Sequence, residues 1–418
     1  MAINAPRGTK DITPHDSYKW QYIENKIHNL CNRFGYNEVR TPVFEHTELF
    51  ERGVGDTTDV VQKEMYTFED KGGRSLTLRP EGTAGVVRCF LENNLYANIQ
   101  PTKLYYLTSC YRYEKPQAGR LREFHQFGVE AFGSVAPSID AETISLAMGL
   151  LSELGVKNLK LYVNSIGCPS CRVEYDKKLK KYFNNEIDRL CQTCKTRLEK
   201  NPMRIIDCKV PLCGEIGIDA PKILNEQCEN CTNHYNELKN YLNEMSISYE
   251  IDDTIVRGLD YYTTTVFEIK SDDLVICGGG RYDGLVEALG GAKTPGVGFG
   301  LGLERLIIVL DNQGLLPQNP DGVKLYIANM GEVADLSAQR IVYELRKNGI
   351  SAEKDLMKRS FKKQMIYADK KGAKFIIVLG DDEISSGLAQ LKNMSTGKQT
   401  QIELCNLQNI ISIINEEE

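Results

Sequence analysis

No apolar run in this chain is long enough to cross a bilayer: the longest, around Leu301–Leu310, falls well short of the ~20 residues a spanning helix needs. The first residues, MAINAPRGTKDITP, lack the apolar centre of a secretion signal, so a cytoplasmic protein is expected. No internal repeat or low-complexity tract occurs, which excludes solenoids and linker-like disorder. Excess positive charge is also missing. The net charge is -6, which alone speaks against a nucleic-acid partner, since phosphate binding is driven by Lys and Arg. Neither common phosphate-cradling loop is present. The single Gly-Lys pair, Gly397 and Lys398, is followed by Gln399, and no strand leads into GxGxxG. Any nucleotide must therefore be held by arginine side chains and bare strands.

What is present is an ordinary globular composition, 41% hydrophobic and 26% charged over 418 residues, enough for two or three domains with proper cores. Local charge departs from the total. Between Lys354 and Lys374 eight basic residues stand against Asp355 and Asp369, a basic patch or else a solvated helix face. Residues 1 to about 165 mix amphipathic helix, as in Tyr18–Phe34, with strands bounded by Gly and Pro. Residues about 166–240 are rich in Cys, Lys and Asn, and a Gly-rich strand pattern returns from about 250, so the middle segment reads as an insertion. GLLPQNPDG (Gly314–Gly322) reads as a linker, and the strand and helix alternation after it suggests a small α/β domain.

Five segments carry chemistry. In Tyr106–Gly133, two strands flank a basic loop. Alternation puts Arg112 and Glu114 on one face, and Gln126 and Glu130 on either side of Gly128, a bare position with room for a small ligand. A solvent-exposed polar face is the alternative. In Thr294–Leu310, Gly296, Gly298, Gly300 and Gly302 strip one face of a strand, on which a flat ring could lie with Arg305 over it; close helix packing is the alternative. Arg257, before a β-branched run that looks like a central strand, calls for an anionic partner, a ligand or else Glu268 or Asp260. Glu81 and Thr83 follow Pro80 at a helix start, where capping alone explains them. Tyr282 ends another Gly-rich strand.

Together these segments resemble the three signature motifs of the class II aminoacyl-tRNA synthetases with histidyl-specific additions: GTKDITP, GYNEVRTPVFEHTELF, LRPEGT, the pair around Arg112 and Glu130, RGLDYYTTTVFE, GGGRYDGL, and a last motif ending at Glu304 and Arg305. The resemblance runs nearly end to end. It implies an α+β fold: an antiparallel sheet flanked by helices in residues 1–320, a Cys-rich insertion at 166–240, and a small α/β anticodon-binding domain at 321–418. It implies histidine activation by ATP with Mg2+ and transfer to tRNA(His), by a homodimer. Arg112 would grip the α-phosphate, Arg120 and Arg305 the outer phosphates, and Glu114 the adenine edge, with adenine over Gly300 and Gly302. Arg257 would sit where the histidine carboxylate attacks. Glu130 and Tyr262 would read the imidazole between Tyr261 and Tyr282, with Glu81, Thr83 and Gln126 on the ammonium. Gln117 would meet the tRNA acceptor end. A non-catalytic relative, the histidyl-synthetase-like regulatory subunit of ATP phosphoribosyltransferase, stays open as the other reading; it would lack the last domain and have an eroded RGLDYY. A synthetase-like RNA-sensing module is more distant.

Thirteen cysteines remain to be explained, and a disulfide framework is not expected in a chain of this size without a secretion signal. Cys168 and Cys171, Cys191 and Cys194, and Cys228 and Cys231 are CxxC pairs, with Cys208 and Cys213 a looser fourth. Such spacing predicts structural Zn2+, one site or two, against the alternative of reduced thiols in a small helical insertion.

Overall fold

The computed structural model describes residues 3–55, 58–319 and 322–416. It divides into two compact units, Met1–Pro317 and Gln318–Glu418. Of the expected linker, Pro320 and Asp321 lie outside the described residues, and with them the expected boundary between the domains.

The first unit opens with α1 (Pro14–Phe34), which begins four residues before the expected helix because Pro14 occupies its first turn, where a missing N–H costs nothing. Ile23, Ile27, Leu30 and Cys31 form its buried face, and Gly35 ends it in the left-handed region at φ 72°. Then come β1 (Asn37–Glu38), β2 (Phe44–His46), α2 (Thr47–Val54), β3 (Tyr66–Glu69), β4 (Ser75–Leu78) and α3 (Thr83–Glu92). They are followed by β5 (Thr102–Tyr111), β6 (Glu123–Phe132), α4 (Pro137–Glu153) and β7 (Leu159–Ser165). Four helices then leave the sheet: α5 (Pro169–Asn185), α6 (Gln192–Lys200), α7 (Pro211–Ile218) and α8 (Glu229–Glu244). The chain returns through β8 (Glu250–Ile251), β9 (Thr263–Ser271), β10 (Leu274–Arg281), α9 (Leu285–Ala288), β11 (Gly296–Gly302) and α10 (Leu303–Asn312).

β2, β4 and β3 form a small antiparallel sheet, and the other strands make one sheet in the order β1-β5-β6-β11-β10-β9-β7-β8. Its pairs are antiparallel except β1–β5 and β7–β8 at the edges. Period-two alternation gives this sheet two unlike faces. In β11, Val297, Phe299 and Leu301 enter a core with Phe127, Val129, Phe267 and residues of α1, α4 and α10, leaving the four glycines on the opposite face. That opposite face carries the site.

The second unit comprises β12 (Leu325–Asn329), α11 (Glu332–Lys347), β13 (Ala352–Lys354), α12 (Phe361–Lys370), β14 (Phe375–Leu379), α13 (Asp381–Ser386), β15 (Leu388–Asn393), β16 (Gln399–Glu403) and α14 (Leu407–Glu416). Its sheet runs β13-β12-β14-β15-β16, with the β15–β16 hairpin antiparallel. The hairpin departs from the simple strand and helix alternation expected. The basic stretch is also less uniform than its composition suggests. Lys354 is buried and paired with Asp335 at 2.6 Å, while Arg359 pairs with Asp355 and Lys371 with Glu353. Lys358, Arg359, Lys363 and Lys370 line one hollow with Met357 and Tyr367.

Candidate functional site

The register across five strands explains where the site's side chains stand. Tyr106 on β5 pairs with Gly128 on β6, Gly128 with Gly300 on β11, Gly300 with Gly278 on β10, and Gly278 with Glu268 on β9. Glycine along this row makes space for its neighbours. A Cβ on Gly128 would come within 2.2 Å of the Tyr106 ring, and one on Gly278 within 2.4 Å of the Arg257 guanidinium. On β11, a Cβ at Gly296 would meet Tyr282 at 2.3 Å, at Gly298 the Glu130 carboxylate at 2.0 Å, and at Gly300 the Gln126 amide at 2.0 Å. Two sequence expectations are corrected by this. The space over Gly128 is taken by Tyr106, and three of the four β11 glycines are covered by side chains from adjacent elements. Only Gly302 has nothing within 4 Å and stays bare.

Above this face lies a cavity of about 380 Å3, lined at one end by Arg112, Glu114, Arg120, Gly302, Glu304 and Arg305. Arg112 and Glu114 are not on a strand face as expected: β5 stops at Tyr111, and Arg112 begins the turn into the loop. Arg112 is held by donation from Nε to Pro80 O at 2.8 Å and lies 5.4 Å over the Phe124 ring. Arg305, in the first turn of α10, donates from Nη1 to Val275 O at 2.8 Å and from Nε to Gly119 O at 3.3 Å. Burial and the neighbouring Arg120 hold its pKa below the usual arginine value. Arg120 pairs with Glu114 at 3.6 Å, and Arg257 with Glu268 at 2.5 Å. The structural partner weighed for Arg257 is therefore present. Among the described residues, Arg112 and Arg305 have no carboxylate partner. Unpaired guanidinium charge in a concave site is a place for an anion, and planar forks suit phosphate.

The other end is lined by Glu81, Thr83, Gln126, Tyr261 and Tyr262. Glu81 caps α3, its carboxylate accepting from the N–H of Thr83 at 2.7 Å and of Ala84 at 2.8 Å. Gln126 accepts from Gly82 N–H at 3.2 Å. Glu130 and Tyr282 lie beneath this lining, both fully buried. Glu130 accepts hydrogen bonds from Thr83 Oγ1 at 2.7 Å, from Tyr106 at 3.3 Å and from Tyr282. Burial pushes its carboxyl up to about 8. The Tyr261 ring stands 4.6 Å from Tyr262 and 5.6 Å from Tyr282, centre to centre. Gln117 is elsewhere, in the turn it closes with Arg120, lining a neighbouring hollow with Trp20 and His125. Tyr106, Asp59, Glu64 and Arg204 join the site without any signal in the sequence. A strand tyrosine reads as core, and nothing local marks Arg204, deep in the insertion, as reaching this cavity.

The family model described as Histidyl-tRNA synthetase matches residues 8–170 and 219–306. The chain belongs to this histidyl-tRNA synthetase family. The model described as Anticodon binding domain matches residues 324–416. Among its similar relatives, a histidine–tRNA ligase of Acetivibrio thermocellus is 59% identical over 97% of this chain and 98% of its own. One of Clostridium perfringens is 56% identical over 99% of this chain and 100% of its own. The crystal structure of apo Staphylococcus aureus histidyl-tRNA synthetase superposes with a TM-score of 0.84 at 43% identity, covering 97% of this chain and 98% of that one.

The histidyl-tRNA synthetase match leaves out residues 171–218, most of the insertion, where the cysteines gather in two quartets. Cys168, Cys171, Cys228 and Cys231 form one, and Cys191, Cys194, Cys208 and Cys213 the other, with all sulfurs in each within 4.8 Å. Every CxxC pair opens a helix: Cys168, Cys191 and Cys228 are the N-cap residues of α5, α6 and α8. Cys171 Sγ accepts from Cys228 N–H at 3.1 Å, and Cys213 Sγ from Cys191 N–H at 3.2 Å.

Proposed function

We propose that the chain is a histidine–tRNA ligase that activates L-histidine with ATP to histidyl-adenylate and passes histidine to the 3'-terminal adenosine of tRNA(His). Similarity to histidine–tRNA ligases over 97–99% of the chain supports this, and so does a cavity that joins unpaired guanidinium groups to a tyrosine-rich, carboxylate-backed floor. The domain matched at 324–416 and the intact RGLDYY segment favour the ligase over the regulatory-subunit reading.

In activation, the histidine carboxylate attacks the α-phosphorus, a P–O bond forms, and pyrophosphate leaves with the electron pair of the bond broken. No general base is needed, because the carboxylate is already ionised. The work falls to fixed cations that meet developing charge without reorganising. Arg112 and Arg257 are assigned to the α-phosphate, Arg120 and Arg305 to the outer phosphates of ATP with Mg2+, Glu114 to the adenine edge, and Gly302 to the bare backbone under the ring. Gly300 lines the same cavity beside the Gln126 amide and is assigned with Gly302 to that surface. Glu81, Thr83 and Gln126 are assigned to the ammonium group, Tyr261 and Tyr262 to the imidazole, and Glu130 with Tyr282 to the buried layer that supports it. A site whose buried polar groups need partners rejects isosteres that cannot supply them. Gln117 would meet the acceptor end, and the hollow around Lys358 and Lys363 the anticodon arm. Exposed Val43 and Phe44 of the first motif, with Phe68 beside Phe44 on the small sheet, support a homodimer. Among the described residues no helix is long and apolar enough to cross a membrane. A cytoplasmic site of action is assigned with the ligase reading.

The test is ATP–pyrophosphate exchange. It is expected to proceed with histidine and with no other amino acid, and to be followed by charging of tRNA(His). A purified chain that binds histidine without exchange would return the regulatory reading to first place.

The two quartets are assigned to structural Zn2+. Tetrahedral zinc with bonds of about 2.3 Å puts its sulfurs about 3.8 Å apart. Sulfur separations of 3.6, 3.9 and 4.0 Å occur in the first quartet and 4.0 Å in the second, far too long for disulfides. Four thiolates leave no open position, so the metal would hold the insertion together and take no part in the reaction. Elemental analysis is expected to find about two zinc per chain, one per quartet, and chelation to melt the insertion. A metal-free protein of undiminished thermal stability would contradict the assignment.

A further inference from the structure

Five arginines line the cavity, and one of them, Arg204, comes from the insertion. It stands on the short 3-10 helix Pro202–Ile205 between α6 and α7, inside the stretch that the family match leaves out. Its surroundings are braced. Met203 and Ile205 on either side are buried in the insertion's core. Arg197 donates to Arg204 O at 3.2 Å and pairs with Asp59 at 2.9 Å, while Asn201 donates to Asp260 at 2.9 Å. The second cysteine quartet gathers both ends of the segment, since Cys191 and Cys194 precede Arg204 and Cys208 and Cys213 follow it.

The Arg204 guanidinium, by contrast, has little to hold it. Among the described residues its one side-chain hydrogen bond is donation from Nη1 to Arg257 O at 3.5 Å, at the outer limit for such a bond, and it has no carboxylate partner. It is half-buried, and it also borders an adjoining recess of about 180 Å3 that holds Lys63, Arg197 and Lys200. A rigidly presented, half-desolvated cation beside Arg257, with one long hydrogen bond, suits the surplus negative charge of a triphosphate.

Building on the ligase reading, we propose that Arg204 is a further ATP-contacting residue of the activation step, placing its guanidinium on the triphosphate beside Arg257 and making the insertion part of the activation site. It neither gives nor takes a proton; it neutralises charge on the pyrophosphate as that group departs. Bracing of the segment means that little conformational entropy is lost when the contact forms.

Histidine-dependent ATP–pyrophosphate exchange separates the possibilities. Exchange by the wild-type chain tests the ligase reading, and its absence would sink that reading first. Given exchange, Arg204→Ala is expected to raise KM for ATP or lower kcat by about tenfold or more, the size of one charge-assisted hydrogen bond. KM for histidine should stay within about twofold, the sign of a contact to one substrate. Arg204→Lys should recover part of the loss with an unchanged melting curve, and Arg204→Gln serves if the alanine variant does not fold. Unchanged ATP kinetics would overturn the proposal. So would a parallel weakening of both substrates with a lowered melting temperature, which marks a merely structural arginine.

Discussion

Arg257→Ala is expected to lower histidine-dependent ATP–pyrophosphate exchange by about 10²- to 10³-fold, the usual loss when one fixed donor to a developing negative charge is removed. The geometry makes this arginine hard to replace. Its guanidinium occupies the space that Gly278 leaves open, 2.4 Å from where a Cβ would stand, and Glu268, opposite Gly278 on β9, holds it at 2.5 Å. The pairing orients the fork toward the cavity before ATP arrives, so little reorganisation remains to be done in the transition state. Arg257→Lys keeps the charge but loses the planar fork, and partial recovery is expected. Removing the arginine also leaves Glu268 without a cation. Because that carboxylate is only partly buried, its side chain 19% exposed, water can solvate it, and circular dichroism should show the fold retained. Substantial residual exchange in a folded Arg257→Ala variant would take this residue out of its assigned role.

Glu130→Gln is expected to have two separable effects. The first is on substrate: with the carboxyl that Thr83, Tyr106 and Tyr282 donate to replaced by an amide, histidine activation should fall by about a hundredfold, the scale of leaving buried partners mispaired. The second is on stability against pH. Burial pushes the folded-state carboxyl up to about 8 from an ordinary 4.5, so between those values the folded chain keeps a proton that the unfolded chain releases. Such a raised group stabilises the fold fully below about pH 4.5, and that contribution is lost as pH rises toward 8. Glutamine cannot ionise. Relative to wild type, the variant should therefore gain stability as pH climbs through this window, by on the order of a few kcal/mol, and level off above it. Urea unfolding at pH 5 and at pH 8.5 measures the difference. A constant offset between the two proteins would mean that Glu130 ionises in the fold as it does in the open chain.

Much of the catalytic unit was legible in the residues. α1, the β5–β6 pair, the helix start after Pro80 and Arg305 in the first turn of α10 all follow from periodicity, caps and glycine or proline punctuation, which act within a few residues of chain. The end of β5 was misplaced, since alternation says nothing about where pairing stops. The glycine pattern was read correctly as absence of side chains and incorrectly as free space. What fills such space arrives from neighbouring strands, as Tyr106 does over Gly128 and Glu130 over Gly298.

The amino-acid order alone established the motifs, the alternating faces and four cysteine pairs, because each depends on residues close together along the chain. Folding in three dimensions settled which pairs share a quartet, that Glu268 meets Arg257, and that Arg204 reaches a cavity built from the central sheet. Those meetings join residues from 11 positions apart, as with Arg257 and Glu268, to several tens or more. They depend on the summed packing of whole helices and strands, which no local stretch of sequence encodes.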